Sequence, residues 1–256
     1  MIALPEVFLA RPLAHRAYHD AKAGRPENSR AAVQAAIDAG YGIEIDVQLS
    51  ADGCAMVFHD YELGRLTHEK GPIRQRTARE LADIPLRHAG EGIPTLEEVL
   101  DLVADQAPLL IEIKDQDGAM GPNVGPLEEA VAETIRPYDG PVAVMSFNPH
   151  SVREMARLAP NIPRGLTTSA YAARDWPLLS APVRDRLREI PDYESTGASF
   201  ISHEAADLPR PRVAELKTQG ARILCWTIRS PEQEKDARRV AENITFEGYA
   251  AKIPGA

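Results

Sequence analysis

Acidic side chains interrupt two short apolar runs in this chain. In the segment IEIDVQLSADG, residues 43–53, Glu44 and Asp46 alternate with isoleucine and valine. The two-residue period of a β-strand places both carboxylates on one face. A second run, PLLIEIKD, sets Glu112 and Lys114 among isoleucines in the same way. Because an ionised carboxylate is costly to bury without a partner, these residues predict a functional site.

A divalent cation explains these acids best. Glu44, Asp46 and Glu112 would repel one another in a poorly hydrated cleft, and a cation removes that repulsion. Oxygen ligands indicate Mg²⁺, Ca²⁺ or Mn²⁺ and argue against zinc. The alternative is solvent exposure, with Glu44 and Asp46 on an edge strand and Glu112 paired with Lys114. A closed sheet covered by helices disfavours that alternative.

Basic and aromatic residues accompany the acids. His15 and Arg16 follow a short apolar run near the N-terminus, and His59 closes the apolar run CAMVFHD. Imidazoles ionise near neutral pH and suit general acid–base catalysis. A metal with Arg16 and Lys114 would form a positive pocket that suits a phosphate. Trp226 is expected either to form an apolar wall for the substrate or to pack in the core.

The remaining histidines do not lie beside the acid-bearing apolar runs in the sequence. His203, next to Glu204 at the end of an apolar run, is expected to be a packed residue, although it could lie near the site. The others are expected at the surface: His19, His68, His88 and His150.

Strand-like and helix-like segments alternate along the whole chain and must position these residues. The runs GIEIDVQLS and CAMVFHD are predicted strands separated by ADG, whose Asp-Gly pair is a hairpin turn signal. Counting CAMVFHD as an extension of the second strand gives about eight β/α units, which favours a TIM (β/α)8 barrel within the α/β class. The loop 19–28 lacks GxGxxG, which argues against a dinucleotide-binding fold. In a barrel, the candidate residues would converge at the C-terminal ends of the strands.

Local signals mark several boundaries. Helix 29–40 is expected to begin at Asn28 or Ser29, and helix 95–106 at a capping box formed by Thr95 and Glu98. Residues 61–94 are polar, contain three prolines and lack periodicity. They predict a small insertion or cap after the second strand, within one catalytic domain spanning 1–256.

Composition excludes other classes of protein. The net charge of −9 argues against a nucleic-acid partner. Two cysteines, Cys54 and Cys225, define neither a disulfide framework nor a zinc spacing. No run reaches the roughly 18 apolar residues of a membrane span, and no basic leader precedes the first apolar residues. We therefore expect a soluble cytoplasmic protein.

Taken together in chain order, several motifs resemble the glycerophosphodiester phosphodiesterases. They are HRAYHD, RPENS, AAIDAGYGIEIDVQLSADGCAMVFHD, IPTLEEVL, LLIEIK, SFNP and WTI. The resemblance implies a TIM barrel with a small insertion after the second strand. It also implies a divalent metal on Glu44, Asp46 and Glu112, and acid–base chemistry by His15 and His59.

The resemblance extends to substrate binding. It implies that Arg16 and Lys114 hold the phosphate and that Glu27 and Asn28 support the site. Members of this family hydrolyse glycerophosphodiesters, such as deacylated phospholipids, to sn-glycerol 3-phosphate and an alcohol, which connects them to lipid and glycerol metabolism. The expected partner is therefore a small molecule, without stable membrane insertion.

Two departures from the family pattern concern substrate choice. Ala17 replaces the glycine that usually follows His-Arg, and ITFEGYAAKIP retains only Gly248 and Pro254 of the C-terminal motif. Three readings therefore stand. The first is a glycerophosphodiesterase with His15 as base and His59 as acid, the glycerol 2-hydroxyl attacking to give a cyclic phosphate. The second acts on lysophospholipids or another phosphodiester, and the third is a catalytically silent barrel that binds a phosphorylated metabolite.

Overall fold

A computed structural model describes residues 2–254. Its strands are β1 (Leu13–Ala14), β2 (Gly42–Leu49), β3 (Ala55–Val57), β4 (Leu109–Ile113), β5 (Val142–Ser146), β6 (Arg164–Thr168), β7 (Phe200–Glu204), β8 (Arg222–Ile228) and β9 (Asn243–Phe246). Its α-helices are α1 (Val7–Ala10), α2 (Arg30–Asp38), α3 (Ala78–Asp83), α4 (Leu96–Val103), α5 (Pro126–Ile135), α6 (Pro149–Leu158), α7 (Ala181–Arg188), α8 (Pro211–Thr218) and α9 (Pro231–Ala237).

Eight parallel strands close into a barrel. The short strand β1 pairs with β2 on one side and with β9 on the other, so Leu13 lies opposite both Gly42 and Thr245. Helices between successive strands cover the outside. This architecture is a TIM barrel, and it confirms the predicted fold.

The run CAMVFHD contains a separate strand, as the Asp-Gly hairpin signal predicts, so counting it as an extension of the second strand was wrong. Strand β3 returns antiparallel to β2, with Val57 opposite Val47. The turn at residues 51–53 ends on Gly53, whose φ is 85°. An Asp-Gly pair favours such hairpin turns, and the hairpin leads the chain away from the barrel into the segment that follows.

The segment after β3 packs around its own apolar cluster. Met56 and Phe58 contribute from the hairpin, and five residues of the segment join them: Leu63, Ile73, Leu81, Leu86 and Ile93. All seven are almost fully buried. The segment is therefore held against the β3 end of the hairpin by burial of apolar area.

The barrel interior is closed at its N-terminal end. Phe8 of α1 packs inside with Leu13, Leu110, Phe200 and Leu224. A Cβ on Gly165 would lie 2.3 Å from the Phe200 ring, which explains the glycine in β6. Because this end is filled, a cavity lined by inward-pointing side chains can open to solvent only at the C-terminal end of the barrel.

Helix starts agree with the sequence signals. The Ser29 hydroxyl accepts from the Ala32 backbone N–H and caps α2, while Thr95 and Glu98 form the capping box of α4. Asn28 does not cap α2, because its side chain bonds a site residue instead. Among residues 2–254, every helix falls short of the length and apolar character that crossing a bilayer requires.

Candidate active site

Three carboxylates meet at the C-terminal end of the barrel. Asp46 of β2 and Glu112 of β4 are direct partners in the parallel register, and Glu44 lies two residues before Asp46. One ligand oxygen from each of the three lies within 4.8 Å of the others. Their exposed fractions are only 1%, 1% and 6% for Glu44, Asp46 and Glu112. The structure thus brings together the acids that the sequence analysis grouped.

The pKa values of Glu44 and Asp46 shift in opposite directions. Burial, followed by the charges of Asp46 and Glu112, raises the pKa of Glu44 well above its usual value. Burial acts on Asp46 in the same direction, but the charges of Lys114, His59 and Arg16 outweigh it and hold the pKa of Asp46 far below its usual value. The basic side chains therefore stabilise the negative charge of Asp46, but they do not fully compensate a negative charge on Glu44.

The donor set fits a hard divalent cation. All three side chains offer carboxylate oxygens, which are the ligands that Mg²⁺ and Ca²⁺ prefer. The raised pKa of Glu44 reflects its burial first and then repulsion by Asp46 and Glu112, and a bound cation would offset both effects. Glu44, Asp46 and Glu112 can therefore hold one ion together.

Lys114 forms ion pairs with two of the three acids. Its Nζ is 2.7 Å from Asp46 Oδ1 and also donates to Glu112, and its side chain is 14% exposed. Burial would lower the pKa of Lys114, but the charges of Asp46 and Glu112 raise it above its usual value. The ammonium is thus fully charged and lies in the cavity, one residue beyond the end of β4.

His15, just after β1, is held by a carboxylate from the other end of the chain. Its Nδ1 lies 2.5 Å from Oε2 of Glu247, which directly follows β9. Burial lowers the pKa of His15, and the hydrogen bond to Glu247 partly opposes this effect. An ionised carboxylate only accepts hydrogen bonds, so Nδ1 carries the proton in the neutral imidazole of His15 and Nε2 then keeps a lone pair.

Glu247 is the site residue that the sequence analysis missed. Its Oε1 also accepts from Arg229 Nε at 2.8 Å, and His19 Nε2 lies 3.6 Å from its Oε2. Burial would raise its pKa, but the hydrogen bond from His15 and the nearby imidazole of His19 lower it far below its usual value. The sequence signal that could have identified Glu247 is its position directly after the last predicted strand, where barrel active-site residues lie. The expectation of His19 as a surface residue was also wrong, because its side chain is only 25% exposed.

His59 is held by its neighbour and by the insertion. Its Nδ1 lies 2.7 Å from Asp60 Oδ1, and Arg65 Nε donates to Asp60 Oδ2 at 2.5 Å. Arg65 also donates two hydrogen bonds of 2.7 Å to Glu27. Glu27 in turn accepts from Arg16 at 2.7 Å. A continuous chain of charged contacts therefore links His59 to Arg16.

The turn after His15 aims Arg16 across the acid cluster. Its backbone N–H donates to Glu44 Oε2 at 2.8 Å, and its Nε lies 3.7 Å from Asp46 Oδ2. Arg16 and Ala17 both have left-handed φ values, 54° and 65°. A left-handed φ favours glycine, which explains why the family usually has glycine at this position. In this chain the position is occupied by Ala17, which is buried.

Asn28 supports the acids directly. Its Nδ2 donates to Asp46 Oδ2 at 2.9 Å, and its Oδ1 accepts from the Asp46 backbone N–H. The side chain is buried, so this pair fixes the rotamer of Asp46. The structure thus places Glu27 and Asn28 behind Arg16 and Asp46.

Apolar residues line the other side of the same cavity, whose volume is about 670 Å³. The Trp226 ring stands edge-on to Phe147, with ring centroids 5.5 Å apart, and its Nε1 donates to the Ser202 carbonyl. Trp226 therefore borders the cavity and is also anchored to β7. The cavity lining contains all eight residues singled out in the sequence: His15, Arg16, Glu44, Asp46, His59, Glu112, Lys114 and Trp226.

The remaining candidates pack elsewhere. His203 is buried and contacts Thr168 Oγ1 at 2.8 Å and Asp207 Oδ2 at 3.2 Å, as expected for a packed residue. Both cysteines are free. Burial raises the pKa of Cys225 to about 12, so that thiol is inert.

Comparison with known proteins gives a consistent result. A profile of the Glycerophosphoryl diester phosphodiesterase family matches residues 15–243. A glycerophosphodiester phosphodiesterase of Caldanaerobacter subterraneus subsp. tengcongensis is 34% identical over 59% of this chain and 65% of its own length. Another, from Bacillus altitudinis, is 33% identical over 62% of this chain and 67% of its own. The chain thus aligns with just under two thirds of the first relative.

The fold has a solved counterpart. An Oleispira antarctica phosphodiesterase, solved in complex with the product sn-glycerol-3-phosphate, superposes with a TM-score of 0.75. It is 26% identical, and the match covers 95% of this chain and 94% of that one.

Proposed function

This chain belongs to the glycerophosphoryl diester phosphodiesterase family, and we propose that it hydrolyses glycerophosphodiesters to sn-glycerol 3-phosphate and an alcohol. One observation carries the proposal. A buried cluster of three carboxylates shares a cavity with two histidines, and each histidine contacts a carboxylate of its own.

The metal site would consist of Glu44, Asp46 and Glu112. Mg²⁺ or Ca²⁺ suits these oxygen ligands, with Mn²⁺ as an alternative. When bound, the cation would supply positive charge against the phosphate oxygens and lower the pKa of a coordinated hydroxyl or water.

Arg16 and Lys114 would hold the phosphate. Arg16 is oriented by Glu27 and by its backbone bond to Glu44, and its guanidinium can donate to two phosphate oxygens. Once a bound cation neutralises Asp46 and Glu112, the ammonium of Lys114 would turn from these carboxylates to the phosphate. Trp226 would contact the alcohol or glycerol portion.

His15 would act as the base. With Nδ1–H directed at Glu247, its Nε2 can take the proton of the glycerol 2-hydroxyl as that oxygen attacks phosphorus. His59, protonated and held by Asp60, would donate its proton to the leaving alcohol oxygen as that P–O bond breaks. Water then opens the cyclic phosphate, with the two proton transfers reversed.

The insertion 61–94 would belong to the catalytic unit. Arg65 supports this idea, because it connects Asp60 beside His59 with Glu27 beside Arg16. We therefore treat the chain as one barrel domain that includes the insertion.

A coupled assay for glycerol 3-phosphate release tests the proposal. We expect turnover of glycerophosphocholine or a related diester, loss of activity with EDTA, and recovery with Mg²⁺, Ca²⁺ or Mn²⁺. Asp46→Asn should abolish both turnover and calorimetric cation binding, whereas Asp38→Asn, on the exposed face of α2, should retain both. Turnover that persists in EDTA would remove the metal from the proposal. A protein that binds phosphorylated metabolites but turns over no phosphodiester would instead be the catalytically silent barrel.

A further inference from the structure

A buried glutamine continues the row of acids on β2. Gln48 lies two residues after Asp46, so it shares the face of the strand that Glu44 and Asp46 occupy. Gln48 is only 1% exposed. Because a buried amide without hydrogen-bond partners destabilises a fold, the partners of Gln48 indicate what it does.

Gln48 holds the main chain at His59. Its Nε2 donates to the His59 carbonyl oxygen at 3.0 Å. One residue earlier, the backbone N–H of Phe58 donates to the Asp46 carbonyl oxygen, also at 3.0 Å. Strand β2 therefore holds the chain just before His59 and at His59 itself.

The carbonyl that Gln48 binds belongs to the peptide group between His59 and Asp60. A peptide group is planar, so a rotation of this group would turn Asp60 relative to the imidazole that it contacts. By holding the peptide group, Gln48 keeps the imidazole and the carboxylate directed at each other.

A second glutamine extends this contact to the end of β4. Gln116 Nε2 donates to Gln48 Oε1 at 2.9 Å and to the Lys114 carbonyl oxygen at 2.7 Å. Its Oε1 accepts from the backbone N–H of Leu49 at 3.4 Å. The two glutamines thus form a bridge between the main chain at His59 and the main chain at Lys114.

The partners fix the orientation of both amides. Reversing the Gln48 amide would place its oxygen against the His59 carbonyl, and reversing the Gln116 amide would place its oxygen against the Lys114 carbonyl. Two oxygens without a hydrogen between them cannot form a hydrogen bond. The observed orientation is therefore the one that connects the two carbonyls.

The bridge lies behind the residues that it joins. Within residues 2–254, the cavity lining includes His59 and Lys114 but neither glutamine. The two amides can therefore influence the reaction only through the residues that they hold.

Building on the proposed phosphodiesterase function, we propose that Gln48 and Gln116 are positioning residues that align His59 with Lys114. Lys114 would hold the phosphate while His59 donates its proton to the leaving alcohol oxygen. The spacing between their main chains then decides how closely the proton approaches that oxygen. A displacement of about 1 Å can lower a rate by about a hundredfold.

The dependence on the leaving group tests this inference. The full chain with added Mg²⁺ or Ca²⁺ is assayed on glycerophosphocholine and on the p-nitrophenyl diester of glycerol 3-phosphate. Gln48→Met and Gln116→Met keep the side-chain length but remove the hydrogen bonds. We expect kcat for glycerophosphocholine to fall about tenfold in each variant, with little change in KM. For the p-nitrophenyl diester, kcat should fall by no more than about twofold, because its leaving oxygen needs little protonation.

A double variant tests whether the two glutamines act as one unit. Either single substitution already breaks the bridge. The kcat of Gln48→Met/Gln116→Met on glycerophosphocholine should therefore lie within about twofold of that of the more impaired single variant. Losses that multiply in the double variant would show that the two side chains act separately, and would contradict the bridge.

Asn243→Leu is the matched control. Asn243 is also a buried amide, and its Nδ2 donates to the carbonyl oxygens of Phe8 at 2.7 Å and Arg11 at 2.6 Å, away from the cavity. Its loss should lower the melting temperature, as loss of the glutamine amides should. The ratio of the two kcat values should stay at the wild-type level.

The outcomes separate the two proposals. If the wild-type chain hydrolyses both substrates and neither glutamine variant changes the ratio, the bridge inference is wrong and the phosphodiesterase stands. An equal change of the ratio in Asn243→Leu would also overturn the inference. If Gln48→Met does not fold, Gln116→Met decides, because Gln116 is only half-buried. If the wild-type chain hydrolyses neither diester, the proposed function fails, and this inference fails with it.

Discussion

The two histidines of the cavity are held in different ways. His15 contacts Glu247, a residue 232 positions away that reaches it only because the barrel closes between β9 and β1. His59 contacts Asp60, its sequence neighbour, and that pair is secured by Arg65 from the insertion. One pair therefore depends on barrel closure, and the other depends on how the insertion docks.

Their burial differs as well. The side chain of His15 is 13% exposed and that of His59 is 31% exposed. Burial lowers the pKa of His15 and favours its neutral form, which suits a base. His59 lies nearer solvent beside an acid that remains ionised, which suits an imidazole that must carry a proton. The difference in construction thus supports different roles in the reaction.

The largest expected effect comes from removing either imidazole. We expect His15→Ala and His59→Ala each to lower kcat by about 10²- to 10⁴-fold, since each removes one proton transfer. His68→Ala, at an exposed histidine of the insertion, should leave kcat unchanged. Near wild-type turnover in either site variant would contradict the assignment.

A substrate with a good leaving group distinguishes the two roles. A p-nitrophenyl phosphodiester needs little protonation of its leaving oxygen, so it should restore most of the activity of His59→Ala and little of that of His15→Ala. The opposite pattern would exchange the roles of acid and base.

A smaller effect is expected at Glu247. Glu247→Gln leaves His15 buried but removes the carboxylate that orients it, and we expect kcat to fall by about 10- to 100-fold. The hydrogen bond that His15 donates to Glu247 raises the pKa of His15, so its loss lowers that pKa further. The neutral base then persists to lower pH, and the acid limb of the kcat/KM profile should move to lower pH.

The exposed Glu232→Gln on α9 is the matched control for that profile. An unmoved acid limb in Glu247→Gln would show that His15 is not the group whose protonation limits the rate.

The insertion side is tested by Arg65→Met. This change removes the donor shared by Asp60 and Glu27, so His59 and Arg16 lose a common anchor. We expect kcat to fall by about tenfold, with a larger loss for substrates that have poor leaving groups. Arg79→Met, an exposed arginine of the same insertion, should have no effect. A loss shared by both variants would indicate general destabilisation of the insertion.

The smallest effect concerns the turn that follows His15. Ala17 holds a φ of 65°, a conformation that costs an alanine roughly 1 kcal/mol relative to glycine. We expect Ala17→Gly to raise the free energy of unfolding by up to about 1 kcal/mol in urea titrations, less the added chain entropy of glycine. A decrease in stability would show that contacts of the Cβ outweigh the strain.

Short-range features were readable from the sequence. The alternation around Glu44, Asp46 and Glu112 revealed inward-facing acids, because side chains of a strand alternate between its faces. The capping box at Thr95 and the Asp-Gly turn depend on residues only a few positions apart. The repeated β/α pattern was enough for the barrel, and the motif order was enough for the family.

Long-range contacts were decided only by the tertiary structure. The Glu247–His15 pair requires the last strand to lie against the first, and the link from Arg65 to Glu27 requires the insertion to dock over the mouth. Lys114 lies just beyond the end of its strand and donates to Asp46 as well as to Glu112, and the contact with Asp46 requires β2 to lie beside β4. A sequence pattern reports which face a side chain occupies, but its partner depends on which loops barrel closure brings together in space.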